Sequence, residues 1–169
     1  AVVLDGTSGH VTLPIGSLLQ SLDSITVATW VRRDGTGNWQ RVFDFGNDTD
    51  VYMFITTNAA GGGVRFAITT SGVGESGMTS AQSIPSDGTW HHVAGTIDGA
   101  TGQMNLYVNG LLVGSATTTT LPSNLGNTTQ NWIGRSQWDD PYLNGAVDEF
   151  RIYNRALTGA EIQYLAGDR

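Results

Sequence analysis

Strand-sized runs of β-branched and aromatic residues follow one another along almost the whole chain, each closed within a few residues by Gly, Asn or Asp. That rhythm leaves no room for the helical crossovers that parallel strands require. The runs are Val2–Leu4, His10–Leu13, Ile25–Arg33, Gln40–Phe45, Val51–Thr57, Val64–Thr70, Gly77–Ser83, Trp90–Asp98, Gln103–Asn109, Leu111–Thr117, Asn131–Gly134 and Ala146–Tyr153. The Gly6-Thr7-Ser8-Gly9 turn predicts a hairpin between the first two. Asn109-Gly110, whose residues accept positive φ, predicts another. One helix is expected, over Thr158–Leu165, with Thr158 as N-cap, Glu161 completing a capping box and Gly167 as the stop. The pattern predicts an all-β fold: a two-sheet antiparallel jelly-roll sandwich with one short C-terminal helix. No repeat or linker divides the chain, so residues 1–169 read as a single domain.

Composition narrows the function. The 15 acidic residues outnumber 8 basic ones, all arginine, for a net charge of −7. Such a surface repels phosphate backbones and argues against nucleic-acid binding. With 0 cysteines there is no disulfide scaffold, thiolate metal site or cysteine nucleophile. No apolar run approaches the roughly 18 residues of a membrane-spanning helix. His91-His92 are adjacent on a strand and face opposite sides, so they read as packing residues and not as a metal pair. The Asn47-Asp48-Thr49-Asp50 stretch lacks the glycine and the terminal glutamate of an EF-hand loop and reads as a turn. No Gly-x-Ser-x-Gly elbow or His-Glu-x-x-His helix occurs.

Four segments together carry a resemblance. They are Leu4-Asp5-Gly6-Thr7-Ser8-Gly9-His10-Val11, Ile25-Thr26-Val27-Ala28-Thr29-Trp30-Val31, Trp90-His91-His92-Val93-Ala94 with Leu106-Tyr107-Val108-Asn109-Gly110, and Ile133-Gly134-Arg135 with Leu143–Leu157. In this order they resemble a laminin-G-like jelly roll of the concanavalin A-like lectin/glucanase superfamily. The resemblance implies two curved sheets packed face to face. It implies a domain often appended to secreted bacterial glycoside hydrolases and adhesins, commonly binding carbohydrate and commonly holding a structural calcium. Glucanases of this group carry alternating acids on one strand, which places a nucleophile and an acid on one face. Here Glu75, Glu149 and Glu161 are isolated, and Asp148-Glu149 are adjacent, so a glycosidase pair is not expected.

For calcium, the resemblance points to Asp148, with Asp5 and the Gly46 turn as partners, tying the two ends of the chain to a mid-chain turn. The alternative is that Asp5 caps a turn and Asp148 accepts a backbone bond.

The aromatic residues bear on the ligand. Trp30 and Trp90 lie within predicted strands. Trp39 and Trp138 lie in polar loops, where a large aromatic needs a reason to be exposed. Either each packs on a sugar ring or each folds back over the end of the sandwich. The expected carbohydrate site is Trp138, Asp139, Asp140 and Tyr142, lined by Arg135, Trp39 and Arg41. It requires the two loops to share one edge. An alternative site is the concave sheet face, through Tyr52, Arg65 and Tyr107. The arginines suit an acidic or fructose-type sugar, and a neutral glycan is equally open. The leading expectation is a non-catalytic carbohydrate-binding module: secreted, monomeric and fused to a glycoside hydrolase. An adhesion or protein-interaction domain is the alternative.

Overall fold

The computed structural model describes residues 1–167, within which twelve strands form two six-stranded antiparallel sheets. Sheet A runs β1 (Val2–Asp5), β12 (Asn144–Tyr153), β3 (Ile25–Arg33), β8 (Trp90–Asp98), β9 (Gln103–Val108) and β10 (Leu111–Thr117). Sheet B runs β2 (Val11–Thr12), β11 (Gln130–Ile133), β4 (Arg41–Gly46), β5 (Tyr52–Thr56), β6 (Arg65–Thr69) and β7 (Ser76–Thr79). The jelly-roll expectation holds.

Alternation along each strand sets the core. Val27, Val31, Val93, Ile97, Met104 and Leu106 of sheet A meet Phe43, Phe45, Met53, Ile55, Phe66 and Ile68 of sheet B in one buried cluster. Close approach is required at Gly95, where a Cβ would lie 2.9 Å from the Phe66 ring.

The two outer faces differ, and this difference positions the site. On sheet A, Ala28, Ala94 and Tyr107 are covered by Leu157 and by Ile162 of the C-terminal helix α2 (Gly159–Gly167). The predicted capping box is present: Thr158 N–H donates to Glu161 Oε2 at 2.8 Å, and Glu161 N–H donates to Thr158 Oγ1 at 3.3 Å. The Arg155 guanidinium, with those Thr158 bonds, holds Glu161 down to about 2. Among the described residues, no helix packs on the outer face of sheet B. Tyr52, Phe54 and Ala67 form a separate cluster there, joined by Trp39.

Two sequence expectations are corrected. The first two strands are not a hairpin: β1 pairs with β12 in sheet A, and β2 pairs with β11 in sheet B. Asp5 makes the transfer. Its Oδ1 accepts N–H bonds from Thr7, Ser8 and Gly9 at 2.9, 2.9 and 2.8 Å, folding the chain off sheet A. These donors, Ser8 foremost, hold the Asp5 carboxyl down to about 2. The second correction is a short helix, α1 (Gly16–Gln20), between β2 and β3. Its N-cap position is Ile15, with no side-chain cap, so it carries no start signal. Leu19 anchors it in the core.

His91 and His92 occupy opposite faces, as read. His91 bonds Thr89 Oγ1 and Asn109 Nδ2 at 2.9 and 3.1 Å. His92 is buried edge-on to Trp30 with ring centroids 5.5 Å apart. Burial, with a smaller push from Arg151, lowers His92 to about 4. A neutral histidine of this kind stabilises the fold fully above its unfolded value near 6.5. That contribution disappears as pH falls from 6.5 through 4, because only the unfolded chain then takes up the proton. Comparing wild type with His92→Gln isolates it. Between pH 7 and pH 4 the wild type should lose about 2 kcal/mol more stability than the variant, measured by denaturant unfolding.

Candidate functional site

One row of side chains crosses the outer face of sheet B. The strand register places Trp132, Asp44, Phe54 and Ala67 side by side on β11, β4, β5 and β6. Tyr52 and Arg65 lie in the flanking rows. Two loops fold over this face. One precedes β4 and carries Trp39; the other joins β11 to β12 and carries Trp138. Between them lies a cleft of about 320 Å³ lined by Trp39, Arg41, Tyr52, Phe54, Gly72, Glu75, Trp138 and Asp140.

Arg41 organises the cleft from below. It is 3% exposed, and its Nε lies 3.2 Å from Asp44 Oδ2. Its Nη1 donates to the Trp39 carbonyl at 3.1 Å, and its Nη2 lies 3.1 Å from Asp140 Oδ2. The guanidinium also sits 4.0 Å from the centroid of the Phe54 ring, a cation–π contact. One cation thus ties together both loops and the sheet beneath them.

The loops are independently braced. Trp39 adopts φ +64°, a left-handed conformation rare for a bulky residue. It is held there by its own N–H on the Asn58 carbonyl, at 2.7 Å, and by Arg41 on its carbonyl. Arg33 Nη2 steadies the same loop through the Gly37 carbonyl at 3.2 Å. In the second loop, Ser136 Oγ donates to Asp140 Oδ2 at 2.8 Å and accepts the Trp138 N–H at 3.0 Å. The Gln137 N–H donates to Asp44 Oδ2 at 3.1 Å. Arg41 bonds both the Trp39 carbonyl and the Asp140 carboxylate, so the two loops share one edge.

The opposite wall is a second charged network. Tyr52 donates its phenolic O–H to Glu75 Oε1 at 2.6 Å. Arg65 donates to Glu75 Oε2 through Nε at 3.1 Å and Nη2 at 2.6 Å. Burial, then the Glu75 carboxylate, push the Tyr52 phenol upward. Asp44 is fully buried, and burial drives its carboxyl up to about 7 against the opposing pull of Arg41.

Of the residues selected from sequence, Trp39, Arg41, Trp138 and Asp140 line this cleft, and Tyr52 of the alternative site joins them. Arg65 acts through Glu75. Asp139 is exposed and lies outside the lining. Arg135 and Tyr142 belong to a separate stack: the Arg135 guanidinium lies 4.1 Å from the Trp132 ring centroid and 5.9 Å from that of Tyr142. Tyr107 is on the outer face of the other sheet, under α2. Phe54, Gly72 and Glu75 escaped the sequence reading. Glu75 lies just outside β7, and only the β6–β7 pairing brings it to Arg65.

The residues selected for calcium do not converge. Asp5 pairs with Asn144 at one end of the β1–β12 ladder, and Asp148 lies four residues along β12, roughly 13 Å away at the usual strand rise. Asp148 Oδ1 is 3.2 Å from the Ala1 amine. Asp5 Oδ1 is already engaged by three backbone donors, and Gly46 is on sheet B. The strand register thus keeps Asp5, Asp148 and Gly46 apart in the fold.

The Arg41–Asp44 pair makes a sharper prediction about stability. Arg41→Met strands a buried carboxylate and should cost about 3–5 kcal/mol in denaturant unfolding. Arg41→Met combined with Asp44→Leu removes both charges and should recover most of that loss.

A family model described as the concanavalin A-like lectin/glucanases superfamily, of laminin-G type, matches residues 5–163. No curated protein sequence matches the chain. Among solved structures, domain 4 of AbnA, a GH43 extracellular arabinanase from Geobacillus stearothermophilus, in complex with arabinotriose, superposes with a TM-score of 0.80 at 25% identity. The match covers 97% of this chain and 75% of that one. The CBM40 of the Ruminococcus gnavus IT-sialidase, bound to α2,3-sialyllactose, gives a TM-score of 0.82 at 17% identity over 98% and 96% of the two chains. The NanB sialidase of Streptococcus pneumoniae gives 0.75 at 20% identity, covering 97% of this chain and 27% of the enzyme.

Proposed function

Because the chain belongs to the concanavalin A-like lectin/glucanases superfamily, we propose that the cleft between Trp39 and Trp138 is a carbohydrate-binding site and that the domain is a non-catalytic binding module. The observation that carries this reading is the juxtaposition of an exposed indole with fixed carboxylates. Trp138 is 47% exposed at the cleft mouth, beside Glu75 and Asp140. An indole offers a flat apolar face to the C–H side of a sugar ring, at small entropic cost. Carboxylate oxygens accept from sugar hydroxyls. The two structural relatives solved with sugars, an arabinanase domain and a sialidase module, support the reading.

The carboxylates of the cleft are structural partners and not an acid–nucleophile pair. Glu75 is tied to Arg65 and Tyr52, and Asp140 to Arg41 and Ser136. A general acid needs a raised pKa and access to the glycosidic oxygen. Asp44 has the first, but complete burial denies it the second. A protein-docking role would favour a broad apolar face. The large exposed apolar side chains instead stand in small groups, among them Val2 and Val3 on β1, Leu111 and Leu112 on β10, Leu18 on α1 and Tyr164 on α2. The arabinanase domain and NanB, of which this chain spans only about a quarter, support a module joined to a catalytic domain in a secreted glycoside hydrolase. Such a module would act as a monomer.

A small ligand in an open cleft should bind in the micromolar to millimolar range, on the order of 4–8 kcal/mol. Trp138→Ala should weaken oligosaccharide binding by at least about 1 kcal/mol in titration calorimetry while leaving the melting temperature intact. Wild-type affinity in that variant for a sugar the protein binds would remove the cleft from consideration.

A further inference from the structure

We infer that this cleft is selective for uncharged glycans and rejects sugars that carry a carboxylate, such as sialic and uronic acids. The inference rests on the carbohydrate-binding reading and concerns the same site.

Recognition of a sugar carboxylate requires a cation with free donors. Two guanidiniums serve the cleft, Arg41 in its lining and Arg65 behind Glu75, and every nitrogen of both already bonds an acceptor within the protein. All three nitrogens of Arg41 are engaged, by Asp44, the Trp39 carbonyl and Asp140, and its face is against Phe54. All three nitrogens of Arg65 are engaged as well: Nε and Nη2 on Glu75, and Nη1 on Thr79 Oγ1 at 3.1 Å. Arg135 has no carboxylate partner among the described residues, but it is stacked on Trp132 outside the lining.

The charge balance points the same way. Two carboxylates, Glu75 and Asp140, and one guanidinium, Arg41, line the cleft, in a protein whose overall charge is −7. The groups nearest the opening are acceptors. Asp140 is 20% exposed and Glu75 23%, and Asp140 Oδ1 makes no hydrogen bond among the described residues. An acceptor-only rim complements hydroxyl donors and repels an incoming anion. Arg41 and Arg65, two of the arginines that hinted at acidic ligands in the sequence, are instead turned toward acceptors within the protein.

Sugars with and without carboxylates test this: galactotriose and trigalacturonate differ by the C6 carboxylates, and sialyllactose adds one acidic residue to lactose. Calorimetry or a glycan array would compare lactose with sialyllactose, and galactotriose with trigalacturonate, beside arabinotriose as a further neutral probe. Neutral members should bind at least about tenfold more tightly than their anionic counterparts, a difference of about 1.4 kcal/mol. Glu75→Gln removes one carboxylate and releases Arg65, so it should narrow that gap by improving binding of the anionic members. Anionic members binding the wild type as tightly as the neutral ones overturns the inference while leaving a sugar site in place. Absence of binding by every neutral and anionic glycan on a broad array overturns the carbohydrate reading itself, and this inference with it. The wild-type comparison decides the matter even if Glu75→Gln does not fold.

Discussion

The buried Arg41 guanidinium is the interaction on which the open face of this sandwich depends. A β-sheet face without a covering helix must either be polar or be capped by loops, and loops carry unsatisfied backbone groups when pressed onto a sheet. Arg41 resolves this locally. It converts the Trp39 carbonyl, the Asp140 carboxylate and the buried Asp44 carboxylate into one hydrogen-bonded unit on the Phe54 ring. The two carboxylates neutralise what would otherwise be an isolated buried charge, and the guanidinium's planar fork supplies the directions a lysine would lack.

The contrast between the sheets follows from their outward residues. Sheet A presents Ala28 and Ala94, small enough for α2 to settle through Leu157 and Ile162. Sheet B presents Tyr52, Phe54, Arg41 and Arg65, bulky or charged groups that no packed helix would accommodate. The outward residues decide which face is closed and which is left to meet a ligand.

Much of the fold was legible in the sequence because turn chemistry and strand alternation are local. Ile25–Arg33, Trp90–Asp98 and Leu111–Thr117 coincide with observed strands, and Thr158 and Glu161 cap α2 as their spacing implied. The misread first hairpin shows the limit. The turn after β1 was visible, but the sheet each strand joined depended on partners more than 100 residues away. The site divides in the same manner. Trp39 and Trp138 stood out because an indole in a polar loop is anomalous on its face. Glu75 and Phe54 did not, because their meaning comes from neighbours across β5, β6 and β7. Arg41 was picked out, but as a ligand contact; only the register revealed that Asp44 and Asp140 occupy it.

The second loop is fastened in part through its main chain. Asp44 grips that loop through the Gln137 main-chain N–H, and Trp138 is tethered through its own main-chain N–H to Ser136. Both of these bonds are made by the main chain, and the Gln137 side chain adds its own bond to the Gln130 carbonyl at 2.7 Å. Asp139, exposed between these anchors, can therefore change what the rim presents without loosening the scaffold, whereas changes at 41, 44 or 136 would disturb both rims at once. The ligand-facing rim and the mount beneath it are in this respect separable parts of one loop.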